Sequence, residues 1–174
     1  QGEIDSALVA LPINDAGFMV RELYDEPFTV AIPLGHEWSG RSYVDTSELK
    51  DETMLLLGSG HCFRDQVLDV CPELSRFSAS SEGIQRTFEG SSLETIRHMV
   101  ATGIGVTVLP ATALTTAAQD NALLEYIPFK APAPDRRIVL IWRKSFPRAA
   151  AIDALAEAIL TCGLKNVNYL ETPS

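Results

Sequence analysis

Apolar residues in this chain fall into short runs, and their spacing changes from one run to the next. The run 4–11 (IDSALVAL) is mostly apolar and closes at Pro12, the pattern of a strand. Runs 18–24 and 28–32 predict two more strands, separated by Asp25-Glu26-Pro27, with Pro33 and Gly35 breaking the second. Residues 45–50 fit one helical turn capped by Asp45 or Thr46. Residues 54–57 form a short apolar run before the turn-prone Gly58-Ser59-Gly60.

Beyond residue 61 the spacing becomes helical. Phe63, Val67 and Val70 share one face, Asp65, Gln66 and Asp69 point away, and Pro72 stops a helix over 62–71. Residues 72–90 are polar and loop-like. Ser91 and Glu94 have the spacing of a capping box, opening a helix that ends at Gly103 with Leu93, Ile96 and Val100 as its apolar face. Strands follow at 106–109, 123–127 and 138–142, the last two joined by a Pro-rich connector at 130–135. Residues 148–162 form the clearest helix, with Ile152, Leu155, Ile159 and Cys162 on one stripe. Strands alternating with helices predict an α/β fold with parallel sheet. The connectors near 25–27 and 130–135 predict a central lobe entered and left by two crossings.

Composition narrows the class. A chain of 174 residues with 46% hydrophobic and 21% charged residues is an ordinary globular sequence, long enough for one domain or two small lobes. Three cysteines are too few for a disulfide scaffold. The net charge, 14 − 23 = −9, has the wrong sign for gripping nucleic acid phosphates. Residues 1–12 lack the basic start and apolar stretch of a secretory signal, and residues 99–118 are broken by Gly103, Gly105 and Pro110. A cytoplasmic protein with no membrane contact is the expectation. In a reducing compartment, paired cysteines are catalytic, sensory or metal-binding more often than structural.

Cys62 and Cys71 lie nine residues apart. On one helix, nine steps separate their Cα atoms by roughly 13–14 Å and put them on opposite faces. A disulfide needs Cα atoms within about 7 Å. Helix and disulfide therefore exclude each other, which makes a bistable element with a chemical trigger. Cys62 begins the helix, where free N–H groups and the macrodipole favour a thiolate, and His61 and Arg64 stand ready to support the charge. Asp65 suits a structural hydrogen bond in the first turn. Two other readings stay open. Both cysteines can be small buried hydrophobes. A zinc site could draw on Cys62, Cys71 and two of His36, His61 and His98, although no short C-x2-C or H-x3-H unit supports it. No metal and no cofactor is expected. His98 is expected on the surface, His36 in a turn and Cys162 in the core.

The segment Gly60-His61-Cys62-Phe63-Arg64-Asp65-Gln66 followed by Cys71 resembles the redox segment of the hydrogen-peroxide-sensing branch of the LysR-type transcription regulators. The run from Ser91-Ser92-Leu93-Glu94-Thr95 through Val100, Gly103, Gly105, Leu109 and Pro110 resembles the wider family's effector-domain signature, and IPLGHEW, ending at Trp38, resembles its His-containing turn. The resemblance implies two Rossmann-like α/β lobes similar to periplasmic binding proteins. Lobe I would comprise 1–25 and 132–174, incomplete at its N-terminus, and lobe II 26–131 would carry the switch. It also implies that peroxide oxidises Cys62 to a sulfenic acid, that Cys71 closes the disulfide, and that His61, Arg64, Asp65 and a cleft arginine, Arg136, support the reaction. The implied partners are hydrogen peroxide, a homodimeric or homotetrameric assembly, a glutathione or glutaredoxin-type reductant, and DNA through a domain outside this chain. The implied protein is not a turnover enzyme. An effector domain binding a small organic ligand between its lobes, or a thiol peroxidase, are the alternatives.

Overall fold

In the computed structural model, residues 4–14, 16–72, 87–114 and 122–170 are described, with the backbone alone for 70 and 87–89. Among them the strands and helices run β1 (Ser6–Ala10), β2 (Phe18–Pro33), β3 (Met54–Leu57), α1 (Cys62–Val70), β4 (Thr87–Gly90), α2 (Leu93–Ala101), β5 (Thr107–Pro110), β6 (Leu124–Pro128), β7 (Asp135–Arg143), α3 (Ala149–Thr161) and β8 (Asn168–Tyr169). The chain divides into two compact units, one of Gln1–Pro27 with Asp135–Ser174, the other Phe28–Pro134.

In the first unit, β7 pairs antiparallel with β1 and with the first half of β2. The short β8 adds to β2 through Tyr24 and Tyr169, whose rings meet edge-on. Helix α3 buries Ile152 and Ala156 in a cluster with Leu23, Tyr24, Ile138 and Leu140. The expected stripe through Leu155 and Cys162 is corrected, because both are exposed. The buried pair is Ile152 and Ala156, four residues apart. Cys162 caps the helix end, where its Sγ lies 3.1 Å from the Ile159 carbonyl instead of continuing the stripe.

In the second unit, β3 is the centre of a parallel core. It pairs with β4 in parallel and meets β5 through the parallel bridge Met54–Val106. Helix α2 connects β4 to β5, and the second half of β2 lies antiparallel to β5 and β6. A further parallel bridge joins Val44 and Phe129, whereas β2 and β7 pair antiparallel in all their ladders among the described residues.

Three local expectations change. The two strands expected at 18–24 and 28–32 are one strand, β2, running through Pro27 with a bulge between Glu22 and Tyr24. Pro27 is tolerated because the bond across comes from the Phe28 N–H to Pro134 O, not from residue 27, while the pairing of β2 with β8 ends at Asp25 and its pairing with β5 and β6 begins at Phe28 and Thr29. Residues 87–90, expected as loop, form β4, and 73–86 lie outside the described residues. Helix α2 is capped one residue later than expected: the Ser92 hydroxyl accepts the Thr95 N–H, and Glu94 pairs with Arg97. The capping box sits instead at Asp45–Glu48, on the 3-10 turn Thr46–Asp51.

Gly103 ends α2 at φ +80°, which a Cβ disfavours. A Cβ at Gly105 would lie 2.2 Å from the Thr53 carbonyl oxygen, so the β3–β5 junction needs glycine there.

Candidate functional site

Strand β3 ends at Leu57, and its four residues are buried. The turn after it is fixed by backbone bonds: Gly58 N–H donates to Gly90 O and His61 N–H to Gly58 O, with Gly60 at φ +94°. Cys62 opens α1 directly behind this turn. His61 occupies the N-cap position and makes no side-chain cap bond. Arg64 reaches back from the first turn, its Nη1 donating to the Leu57 carbonyl at 2.8 Å, so the helix start is tied to the strand end. Asp65 lies exposed in the first turn, where a carboxylate suits the helix dipole.

No disulfide joins the two thiols, and they differ in access. Cys62 is exposed, whereas Cys71 is fully buried. Cys71 caps the helix, its N–H bonded to Val67 O at 3.0 Å. Phe63 and Val67 hold α1 on the core, and the Phe63 ring meets Phe28 edge-on at 5.4 Å. About 10 Å³ of open space remains beneath the helix, between Phe63, Val67, Leu93 and Ile96, room for one water at most. The side chain of Val70 lies outside what is described, so its expected place on this face is not tested.

Cys62 and Cys71 thus begin and cap one helix, whose rise separates their Cα atoms by roughly 13–14 Å. That spacing contradicts the zinc reading, since two thiolates on one ion each sit about 2.3 Å from it. The third alternative, two buried cysteines, fails for Cys62, which is exposed. His36 is a turn residue with structural work: its Nδ1 accepts the Trp38 N–H and its Nε2 lies 3.4 Å from Glu52. His98 is exposed. Among the described residues no helix is long and apolar enough to cross a membrane.

Arg136 belongs to the other unit. Its Nε donates to Glu26 Oε2 at 2.6 Å, and Glu26 is 1% exposed. The adjacent Arg137 pairs with Asp25 and Glu22, and the Asp25 carboxylate raises its pKa. Burial and the neighbouring Asp25 charge push the Asp135 carboxyl above its ordinary range. Sequence reasoning missed Glu26, placed in an apparent connector. It also missed Arg97, buried on α2 and bonded to Glu94 and the Ala113 carbonyl. The i, i+3 spacing of Glu94 and Arg97 was the available signal.

The LysR substrate binding domain family matches residues 1–161. The structure of a reduced form of OxyR from N. meningitidis superposes with a TM-score of 0.89 at 42% identity, covering 98% of this chain and 77% of that one. The chain belongs to the OxyR family. A probable hydrogen peroxide-inducible genes activator of Streptomyces viridosporus is 39% identical over 158 residues. The DNA-binding transcriptional dual regulator OxyR of Escherichia coli K12 is 37% identical over 158 residues. The alignments cover 91% of this chain but 49% and 50% of those two proteins, so the chain spans about half the length of these curated relatives. The expected two-lobed α/β fold is that of the OxyR regulatory domains.

Proposed function

We propose that this chain is the redox-sensing regulatory domain of a LysR-type transcriptional activator, with Cys62 as the peroxide-reactive thiol and Cys71 as its resolving partner. One observation carries the proposal: an exposed and a buried cysteine bound the same helix, at a separation only unwinding can close. The Cys62 thiolate attacks one peroxide oxygen, giving a sulfenic acid and hydroxide, which takes up a proton to leave as water. The Cys71 sulfur then attacks the Cys62 sulfur and displaces the sulfenic oxygen as a second water. Two thiols and one peroxide give one disulfide and two waters, and the protein is consumed stoichiometrically rather than turning over.

His61, at the N-cap, polarises the peroxide. Arg64 and Asp65 steady the first turn of α1. The family relationship argues for a supporting role of Arg136 as well. The family relationship supports DNA binding through another domain, homodimeric or homotetrameric assembly, cytoplasmic residence, and resetting by glutathione or a glutaredoxin-type reductant, and the net charge of −9 fits a DNA contact made outside this chain.

The test is mass spectrometry of the reduced full chain after one equivalent of hydrogen peroxide. Loss of two hydrogen atoms, mapped to a peptide joining Cys62 and Cys71, is the expected result. Unchanged thiols overturn the proposal in favour of a ligand-binding effector domain. Peroxide consumption with a thiol reductant at an enzyme's turnover, on the order of 1–10³ s⁻¹, overturns it in favour of a peroxidase.

A further inference from the structure

Phe63 follows the reactive cysteine, and its ring meets the ring of Phe28 edge-on, 5.4 Å between centroids at 87°. Phe28 is a singular position. It is the first residue of the second unit on β2, and Pro134 is that unit's last residue before β7. The Phe28 N–H donates to the Pro134 carbonyl at 2.8 Å, so one hydrogen bond joins the first and last residues of the second unit. The ladder is thin there. Pro134 has no N–H to return to Phe28, so this rung keeps only one of the two bonds of a hydrogen-bonded pair. Support at this point has to come from side chains, and Phe28, 2% exposed, supplies it by packing.

We propose that the Phe63–Phe28 contact relays the state of α1 to the Phe28–Pro134 rung, where the chain enters and leaves the second unit. This rests on the disulfide proposed above. For Cys62 and Cys71 to bond, their Cα atoms must close from roughly 13–14 Å to about 7 Å. Phe63 is one residue from Cys62, its Cα only about 3.8 Å away, and cannot keep its place while that end of the helix unwinds. The Phe28 ring then loses its edge partner, water reaches the boundary, and the Phe28–Pro134 bond opens more often. The rungs next to it, Glu26–Arg136 and Asp25–Arg137, lie on the same two strands, so the loosening passes directly to the strands of the first unit.

Hydrogen exchange of the full chain, reduced and after one equivalent of hydrogen peroxide, tests the relay in peptides covering 28–33 and 135–138. The Phe28 amide should exchange about tenfold faster or more in the disulfide form. In reduced Phe63→Leu, which keeps an apolar side chain on the core, the same amide should speed up without any disulfide. If the disulfide forms while Phe28 exchange stays within about twofold, the relay is wrong and the redox function stands. If Phe28 responds to the disulfide but not to Phe63→Leu, the signal travels another way and the relay is also wrong. If mass spectrometry finds no disulfide in the wild type, the redox function itself falls, and the relay with it.

Discussion

At the level of single residues, the division of labour between the cysteines comes from burial. Cys62 stands exposed at a helix start, while Cys71 is fully buried beside Val67. In the reduced protein, iodoacetamide should modify Cys62 and the exposed Cys162 readily and leave Cys71 protected until the fold is opened. Peptide mapping reads this directly, and equal labelling of all three would remove the basis for separate attacking and resolving roles. The nine-residue spacing was legible in the sequence because helix rise and rotation are local quantities. The exposure of Cys162 was not, because the sequence stripe ran one residue past the end of α3. Glu26 was hidden for a different reason: its burial depends on Arg136, more than a hundred positions away.

At the level of elements, α1 is held by packing rather than by its caps. Burying Phe63 and Val67 contributes about 1.5–3 kcal/mol each. If unwinding gives up that packing, the disulfide becomes easier to reduce by about 60–130 mV, at about 30 mV per 1.4 kcal/mol. Val67→Ala removes two methylene equivalents, about 1.6 kcal/mol, from the reduced form alone. It should make the disulfide potential more negative by about 35 mV, measured against a glutathione buffer. An unchanged potential would mean that α1 keeps its packing in the oxidised state. The 3-10 turn at Thr46–Asp51 carries a pH dependence of its own. The Ser47 backbone N–H holds Asp45 below the carboxylate range, and the Asp45 N–H does the same for Glu48. Lowered folded values mean stabilisation that is present above about pH 4 and lost as the pH falls through those values. Asp45→Asn should therefore flatten the acid limb of a melting-temperature profile, and an unchanged limb would refute the cap's role. Pro72, the face of α1 and Gly103 were readable because their physics is local. Strand β4 and the continuity of β2 through Pro27 were not, since partner strands decide them.

At the level of the whole molecule, charged pairs line the β2–β7 ladder of the first unit. Arg136–Glu26 is the costly pair, because Glu26 is almost wholly buried. Arg136→Met would leave that carboxylate without its cation and should cost about 3 kcal/mol in denaturant unfolding. The double variant with Glu26→Gln should recover much of the loss. A single variant as stable as the wild type would show that the pair contributes nothing there. The exposed Arg137–Glu22 pair should matter little, as surface ion pairs generally do. The sequence showed the Pro-rich connector at 130–135, but the other expected connector, 25–27, is part of β2. It did not supply the ladder of charges, whose partners come together only when β7 returns beside β2.

The central claim is that helix and disulfide are alternatives in the segment 61–72. Hydrogen exchange over that segment, before and after peroxide, tests it most directly. The reduced helix should be protected and the oxidised segment should lose that protection, while Cys71→Ser, oxidised at Cys62 alone, should keep it. Equal protection in both states, or a Cys71→Ser variant that opens like the wild type, would contradict the account.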